Sequence, residues 1–292
     1  MSDSRPPADL RDVFRMEPDG NAAFVAELPD AGMDRAFGGH LVGLAIRAAA
    51  STVPDVTAPA PHAVHARFVR SGRTGEPVRL LVDRVHDGRT IAVRRLTAVQ
   101  GSRTLLTADL SFHAAEEGEH WQAQQPRLRV PERAVFSPLA GAAPLAPFEI
   151  RAEHEHQRGA PARLHPFWAR LRTPLPVEDP VLHSCALAIL TDVGVTGSAR
   201  RPGSPLRVQR AAVTLDHALW LHGPFRTDEW VQVAVSPVLN AGSRGLARGE
   251  VFREDGTLVA SFGQEVLLRA PGRPSSPPDQ LTTTSGGTTR VG

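Results

Sequence analysis

At 292 residues, with 41% hydrophobic and 22% charged content, the chain can support two ordinary domains or one large one around a substantial core. The formal net charge is only +2, and the pI of 9.7 arises because every basic residue is Arg and Tyr is absent, so neither value argues for a nucleic-acid surface. A single cysteine excludes an internal disulfide and a CxxC metal site, and no run reaches the ~18 apolar residues of a membrane span, so the expectation is a cytoplasmic protein.

In chain order, residues 1–13 read as a flexible N-terminal segment without the apolar run of a signal peptide. Residues 22–28 (AAFVAEL) carry a short strand pattern. A turn-rich AGMDRAFGG follows, and residues 40–53 (HLVGLAIRAAASTV) read as a helix that is apolar nearly all round, hence buried. Beyond Pro54 the chain alternates in β-branched runs at 62–70, 78–86, 89–100 and 104–113, with Asp87-Gly88 and Gln100-Gly101 as hairpin turns between the last three. Residues 116–147 are first polar, then punctuated by proline without a sustained period, and read as a linker.

The plan then repeats. Residues 148–154 are strand-like, and 179–194 (DPVLHSCALAILTDVG) form the stretch around which the rest is organised. Asp179 reads as an N-cap, Pro180 as the first helical residue and Gly194 as the stop, while apolar residues surround the circumference between them. Asp192 at the C-terminal end sets a carboxylate against both burial and the helix dipole, which calls for a reason. Strand patterns at 208–216, 230–235, 244–253 and 257–268 complete this half, and 270–292 is a low-complexity tail expected to be disordered. Gly88 to Arg94 and Gly242 to Arg248 are both 6 residues apart, while Gly88 to Gly101 is 13 and Gly242 to Gly256 is 14, which points to an internal duplication of a unit at 14–115 and another at 148–269. An antiparallel sheet curled around one apolar helix, made twice and joined edge to edge so that neither copy exposes a long edge strand, predicts an α+β double hotdog.

The motifs FGGHLVGLAIRAAASTVP (37–54), HAVHARFVRSG (62–72), DGRTIAVRRLTAVQ (87–100), LHSCALAILTDVG (182–194), VTLDHALWLHGPFRTDEW (213–230) and SRGLARGEVFREDGTLVASFGQE (243–265) resemble the acyl-CoA thioesterase II family, in the family's order and over most of the chain. The resemblance implies hydrolysis of fatty acyl-CoA to free acid and CoA, with acyl-CoA as the partner and no cofactor or metal. It also implies a water held by an acid at the end of the second helix, a Thr in the following strand and a Gln in the last strand. The matching residues are Asp192, Thr214 and Gln264. The chemistry stands on its own terms, because a thioester is a good electrophile: hydrolysis needs a positioned water, a proton acceptor and a donor for the developing oxyanion. Gly38 and Gly39 stand immediately before the first helix, with His40 beside them, and their backbone N–H groups are a candidate oxyanion or substrate site contributed by the other half. Arg67, Arg94 and Arg248 are candidates for CoA phosphates. Fused pairs of this kind resemble subunits of larger assemblies, so a homo-oligomer is expected. His40 stands where the family often has Gln, Gly223 where a basic residue is common, and Val266 where Gly is usual; these departures bear on substrate preference.

Other readings compete. Asp34 and His40 suggest a hotdog enoyl-CoA hydratase, although their separation of 6 residues and the absence of an Asn-Pro pair do not match that motif. A non-catalytic acyl-CoA binding protein could use the same fold. Cys185 sits mid-helix among apolar residues and reads as inert core. His154-Glu155-His156 alternates across a strand and so does not converge on a metal. AGSRG at 241–245 imitates a serine-hydrolase elbow but is followed by a strand pattern where a helix is required.

Overall fold

The computed structural model describes residues 9–29, 35–54, 60–123, 129–132, 144–152, 164–176, 179–202 and 211–269. The first half begins with a short helix α1 (Leu10–Val13) and two strands, β1 (Met16–Pro18) and β2 (Ala23–Glu27). Helix α2 (Gly38–Ala50) follows, then four strands, β3 (Ala60–Phe68), β4 (Pro77–Asp87), β5 (Ile91–Gln100) and β6 (Arg103–His113). The second half repeats the sequence of elements with β7 (Phe148–Ala152), β8 (Phe167–Leu171), helix α3 (Pro180–Asp192), a short α4 (Val195–Ser198), β9 (Ala211–Leu221), β10 (Val231–Ala241), β11 (Arg244–Arg253) and β12 (Leu258–Arg269).

All strands join one 12-stranded antiparallel sheet in the order β1-β2-β4-β5-β6-β3-β9-β12-β11-β10-β8-β7. Read outward from the β3–β9 seam, each side places the first long strand of its half, then the last, then the two between them, and finally the two short strands. This is the expected double hotdog. At the seam Ala63 pairs with Trp220 and Arg67 with Asp216, so the innermost strand of each copy covers the edge of the other.

The two helices lie antiparallel under the sheet. Asp179 caps α3 by accepting from the Leu182 N–H at 2.9 Å and meets Arg47, near the end of α2, at 3.1 Å. Gly194 stops the helix with φ at 72°, a left-handed value that glycine adopts without steric cost. Residues Leu182 to Thr191 of α3 are all buried, in agreement with its apolar circumference. The helices touch through glycine: a Cβ on Gly39 would lie 2.5 Å from the Ala188 carbonyl oxygen, and one on Gly43 would lie 2.5 Å from the Phe14 ring and 3.0 Å from the Cys185 carbonyl oxygen.

Several elements differ from expectation, among them the short α4, which follows the predicted stop at Gly194. Helix α2 begins at Gly38 and ends at Ala50, not at 40 and 53. Strands β1 and β8 and helix α1 were not anticipated: β1 is only three residues with a proline, and Phe167, Trp168 and Ala169 of β8 are consecutively buried, so no alternation announces a strand. The stretch Pro180–Ser198 has the length and mean hydropathy of a membrane span, but most of it is buried, as expected of the core helix of a packed sheet. The linker region crosses to the second half, where the Gln122 side chain donates to the Gly256 carbonyl and accepts from the Leu258 N–H, both at 2.9 Å.

Candidate functional site

Helix α2 has no side-chain cap of its own, because its N-cap is Phe37. The missing acceptor comes from the other helix: the Gly39 N–H donates to Asp192 Oδ2 at 2.8 Å. Asp192 therefore sits between the unfavourable C-terminal end of α3 and the favourable N-terminal end of α2, which supplies the reason its position required. Its other oxygen, Oδ1, accepts from Gln264 Nε2 at 3.0 Å, and the same nitrogen donates to Thr214 Oγ1 at 2.9 Å. When ionised the carboxylate can only accept, so it favours the orientation that turns the Gln264 nitrogen toward it; Gln264 Oε1 then faces His217 Nδ1 at 2.8 Å, and that nitrogen carries the proton between them. His217 Nε2 is consequently the acceptor, and the Thr191 hydroxyl lies 3.2 Å from it.

Gln264 and His217 are buried and directly opposite in the β12–β9 ladder, while Asp192 and Thr214 keep partial exposure. Thr214 is three residues from His217, which in a regular strand would put the two on opposite faces. A bulge at Leu215, where the register passes from Glu265–Asp216 to Val266–Thr214, shifts the phase by one and turns both toward the helix end. Burial pushes the Asp192 carboxyl above its ordinary value, opposed by His217 and by the bonds from Gln264 and Gly39; burial likewise pushes His217 below its ordinary value. The arrangement thus presents a carboxylate of raised basicity next to a hydroxyl that accepts one bond and retains its own proton to donate.

The structure brings together Asp192, Thr214, Gln264 and Gly39, and Gly38 adjoins them, since a Cβ there would lie 2.9 Å from Asp192 Oδ2 and 3.1 Å from the Phe68 ring. His40 is not with them. It is buried, 2.7 Å from the Val13 carbonyl and tilted against Phe14 at 5.4 Å, and burial lowers its pKa to about 4, so it is a neutral core donor. Asp34, its partner in the hydratase alternative, and His154-Glu155-His156 lie outside the described residues. Among the described residues no group of three or more His, Cys, Asp or Glu is arranged to hold a metal.

Of the candidate CoA arginines, Arg67 and Arg248 are exposed, but Arg94 is fully buried and committed to the fold: it donates to Thr52 Oγ1 at 2.8 Å, to the Thr52 and His86 carbonyls at 3.0 and 2.9 Å, and to Asp87. Cys185 is a buried free thiol facing the Gly43 carbonyl at 3.2 Å, and burial raises its pKa. The AGSRG segment is the β10–β11 hairpin turn, with φ positive at both Gly242 and Ser243 as in a type I′ turn. His217 and Thr191 were missed by sequence reasoning. The one available signal was the polar spacing of VTLDH, and it is readable only once the bulge is known.

The duplication locates a counterpart of the cluster. Helices α2 and α3 are both 13 residues long, so Ala50 corresponds to Asp192. Strand β3 carries its own bulge at His62, between Pro61 and Ala63, so Pro61 corresponds to Thr214 and Val64 to His217; the residue opposite Val64 on β6, equivalent to Gln264, is Leu110. These four positions are all apolar, so among the described residues the Asp192 cluster has no polar copy at the equivalent place.

Comparison with known proteins agrees with this architecture. The family profile described as acyl-CoA thioesterase matches residues 146–267, and that described as acyl-CoA thioesterase N-terminal domain matches residues 27–113. Acyl-coenzyme A thioesterase 8 of Homo sapiens is 31% identical, with 90% of this chain and 91% of that protein covered, and acyl-CoA thioesterase 2 of Haemophilus influenzae is 27% identical, with 89% and 97% covered. Among solved structures, an acyl-CoA thioesterase II, TesB2, from Mycobacterium marinum superposes with a TM-score of 0.74 at 30% identity, covering 91% of this chain and 99% of that one. A tesB protein from Mycobacterium avium subspecies paratuberculosis gives 0.72 at 31% identity, covering 89% and 98%. Fold and sequence together define a hotdog-fold thioester hydrolase. Within that class the chain belongs to the acyl-CoA thioesterase II family.

Proposed function

We propose that the chain hydrolyses fatty acyl-CoA to free acid and CoA with a water activated at Asp192, Thr214 and Gln264. The observation that carries this reading is the Gln264 amide, which donates to Asp192 and to Thr214 and so holds a proton acceptor and a hydroxyl donor around one point at the end of α3. Asp192 removes a proton from the water as its oxygen attacks the thioester carbonyl carbon. The tetrahedral oxyanion collapses, the C–S bond breaks, and the CoA thiolate leaves and takes up the proton that Asp192 removed from the water, which returns the carboxylate to its ionised form. The raised pKa of Asp192 makes it a better proton acceptor than an ordinary carboxylate. Gly39 is engaged in holding that carboxylate, so its N–H serves the base in this arrangement, in place of the oxyanion role anticipated from sequence.

The test is free-thiol release from a panel of short, medium and long acyl-CoAs by wild type and by Asp192→Asn. Asparagine still accepts from Gly39, so the cap survives, while its amide nitrogen meets the Gln264 amide nitrogen and the base is lost; kcat should fall about 10²- to 10⁴-fold in a protein that is still folded but less stable. Wild-type turnover in a folded Asp192→Asn protein would falsify the assignment, and no release from wild type on any chain length would remove acyl-CoA as the substrate.

A further inference from the structure

We infer that His217 is a positioning residue for this reaction, acting through Gln264 without reaching the substrate; the inference rests on the reading of Asp192, Thr214 and Gln264 given above. An unassisted glutamine amide can rotate by a half-turn and present its oxygen where its nitrogen stood. In that orientation Gln264 would turn an acceptor toward the Asp192 carboxylate and would take the Thr214 hydroxyl proton, which in the observed orientation is free to be donated elsewhere. His217 opposes the rotation, because its Nδ1–H meets Gln264 Oε1 at 2.8 Å from directly across the β9–β12 ladder, where both side chains are buried. The ring is flanked on its other side: Thr191 Oγ1 lies 3.2 Å both from Nε2 and from the Ala188 carbonyl oxygen, so the two acceptors share its proton, and Phe262 stacks at a centroid distance of 5.9 Å and an interplanar angle of 30°. The bonds form a closed loop. Thr191 and Asp192 are consecutive on α3, and they reach the sheet by separate routes, one through His217 and one directly to Gln264. The loop rigidly sets the amide hydrogens that face Asp192 and Thr214, and a buried network of this kind holds its geometry only when every member has a partner.

The predicted signature is a loss in kcat with little change in KM, since the imidazole touches no substrate. His217→Leu, which keeps volume but no donor, should lower kcat about 10- to 100-fold, the scale of a small misplacement of reacting groups. His217→Asn, whose side-chain amide nitrogen replaces Nδ1, should recover most of that loss, whereas His217→Gln, whose nitrogen falls nearer Nε2, should not. A double-mutant cycle separates positioning from mere packing: in a Gln264→Ala background there is no amide left to orient, so adding His217→Leu should cost nothing further. Circular dichroism and thermal melts confirm that each protein compared is folded. The inference is overturned if folded His217→Leu turns over like wild type, if His217→Asn is as impaired as His217→Leu, or if the two losses simply multiply in the double variant. Should His217→Leu fail to fold, His217→Asn and His217→Gln decide the matter by the same comparison. Failure of the underlying site is read separately, from Asp192→Asn and Gln264→Ala in the same assay, because turnover retained by both of those would discard the site whatever the histidine variants do.

Discussion

Asp192 performs two tasks that pull in different directions. As the cap of α2 it accepts from Gly39 in either protonation state, but as a base it must be ionised, and burial resists that. The sign follows directly. A carboxyl pushed above its ordinary value of 3.8 stays protonated further up the pH scale, so kcat should rise with pH along a limb of unit slope whose midpoint lies above 3.8, and then level off. A pH profile of kcat on one acyl-CoA measures this, and a midpoint at or below 3.8 would mean that the base sits in a more solvated place than the structure gives it. His217, held below its own ordinary value by the same burial, donates to Gln264 through its Nδ1–H whether the ring is neutral or charged.

At the scale of elements, the end of α3 is useful because α2 comes close enough to reach it. That approach depends on Gly39, where an added Cβ would be 2.5 Å from a backbone oxygen and 2.9 Å from the Ile189 Cα, neither of which can swing aside. Gly39→Ala should therefore push the helices apart, cost about 1–3 kcal/mol of stability and draw the Gly39 N–H away from Asp192, lowering kcat as well. Chemical denaturation alongside thiol release checks both effects, and an unchanged protein would show that the helix pair is more pliant than its contacts imply. The ends of α3, the hairpin turns and the duplication were all legible in the sequence, because caps, glycines and periodicity are local signals. So were Asp192, Thr214 and Gln264 as a set, through the family motifs. What stayed hidden has physical causes. Strand β8 is buried on both faces and so shows no alternation, the bulge at Leu215 inverts the phase that would have placed His217 beside Thr214, and Arg94 is a residue type normally read as exposed that here ties Thr52 to the β4–β5 hairpin.

For the whole molecule, six of the histidines share a tendency. His40, His62, His165, His183, His217 and His222 are all held below 6.5, with burial the leading cause in each, and two reach about 4 (His40) and about 3 (His165). A group whose folded pKa is depressed leaves stability intact above its unfolded pKa and removes it as pH falls, since the unfolded chain takes up the proton first. For His40 the window runs from 6.5 down to about 4 and corresponds to a loss of about 3 kcal/mol by its lower end. Unfolding free energy measured from pH 7.5 to pH 4 should therefore drop steeply below about 6.5, and His40→Asn, although less stable at neutral pH, should show a shallower decline. A flat wild-type profile would mean that these rings are protonated within the folded protein.

The apolar counterpart at Ala50, Pro61, Val64 and Leu110 has a consequence for heredity. Were each half a separate chain assembling with a copy of itself, one gene would write both ends of the helix pair, and any residue acquired for chemistry at one end would recur at the other. Joining the halves in a single reading frame lets the two ends be edited independently. One end carries a desolvated acid with its Thr, Gln and His partners, while the four corresponding positions at the other end are Ala50, Pro61, Val64 and Leu110, so the cost of desolvating that acid is incurred once per molecule. A substitution that tunes the working end need no longer be tolerated at its twin.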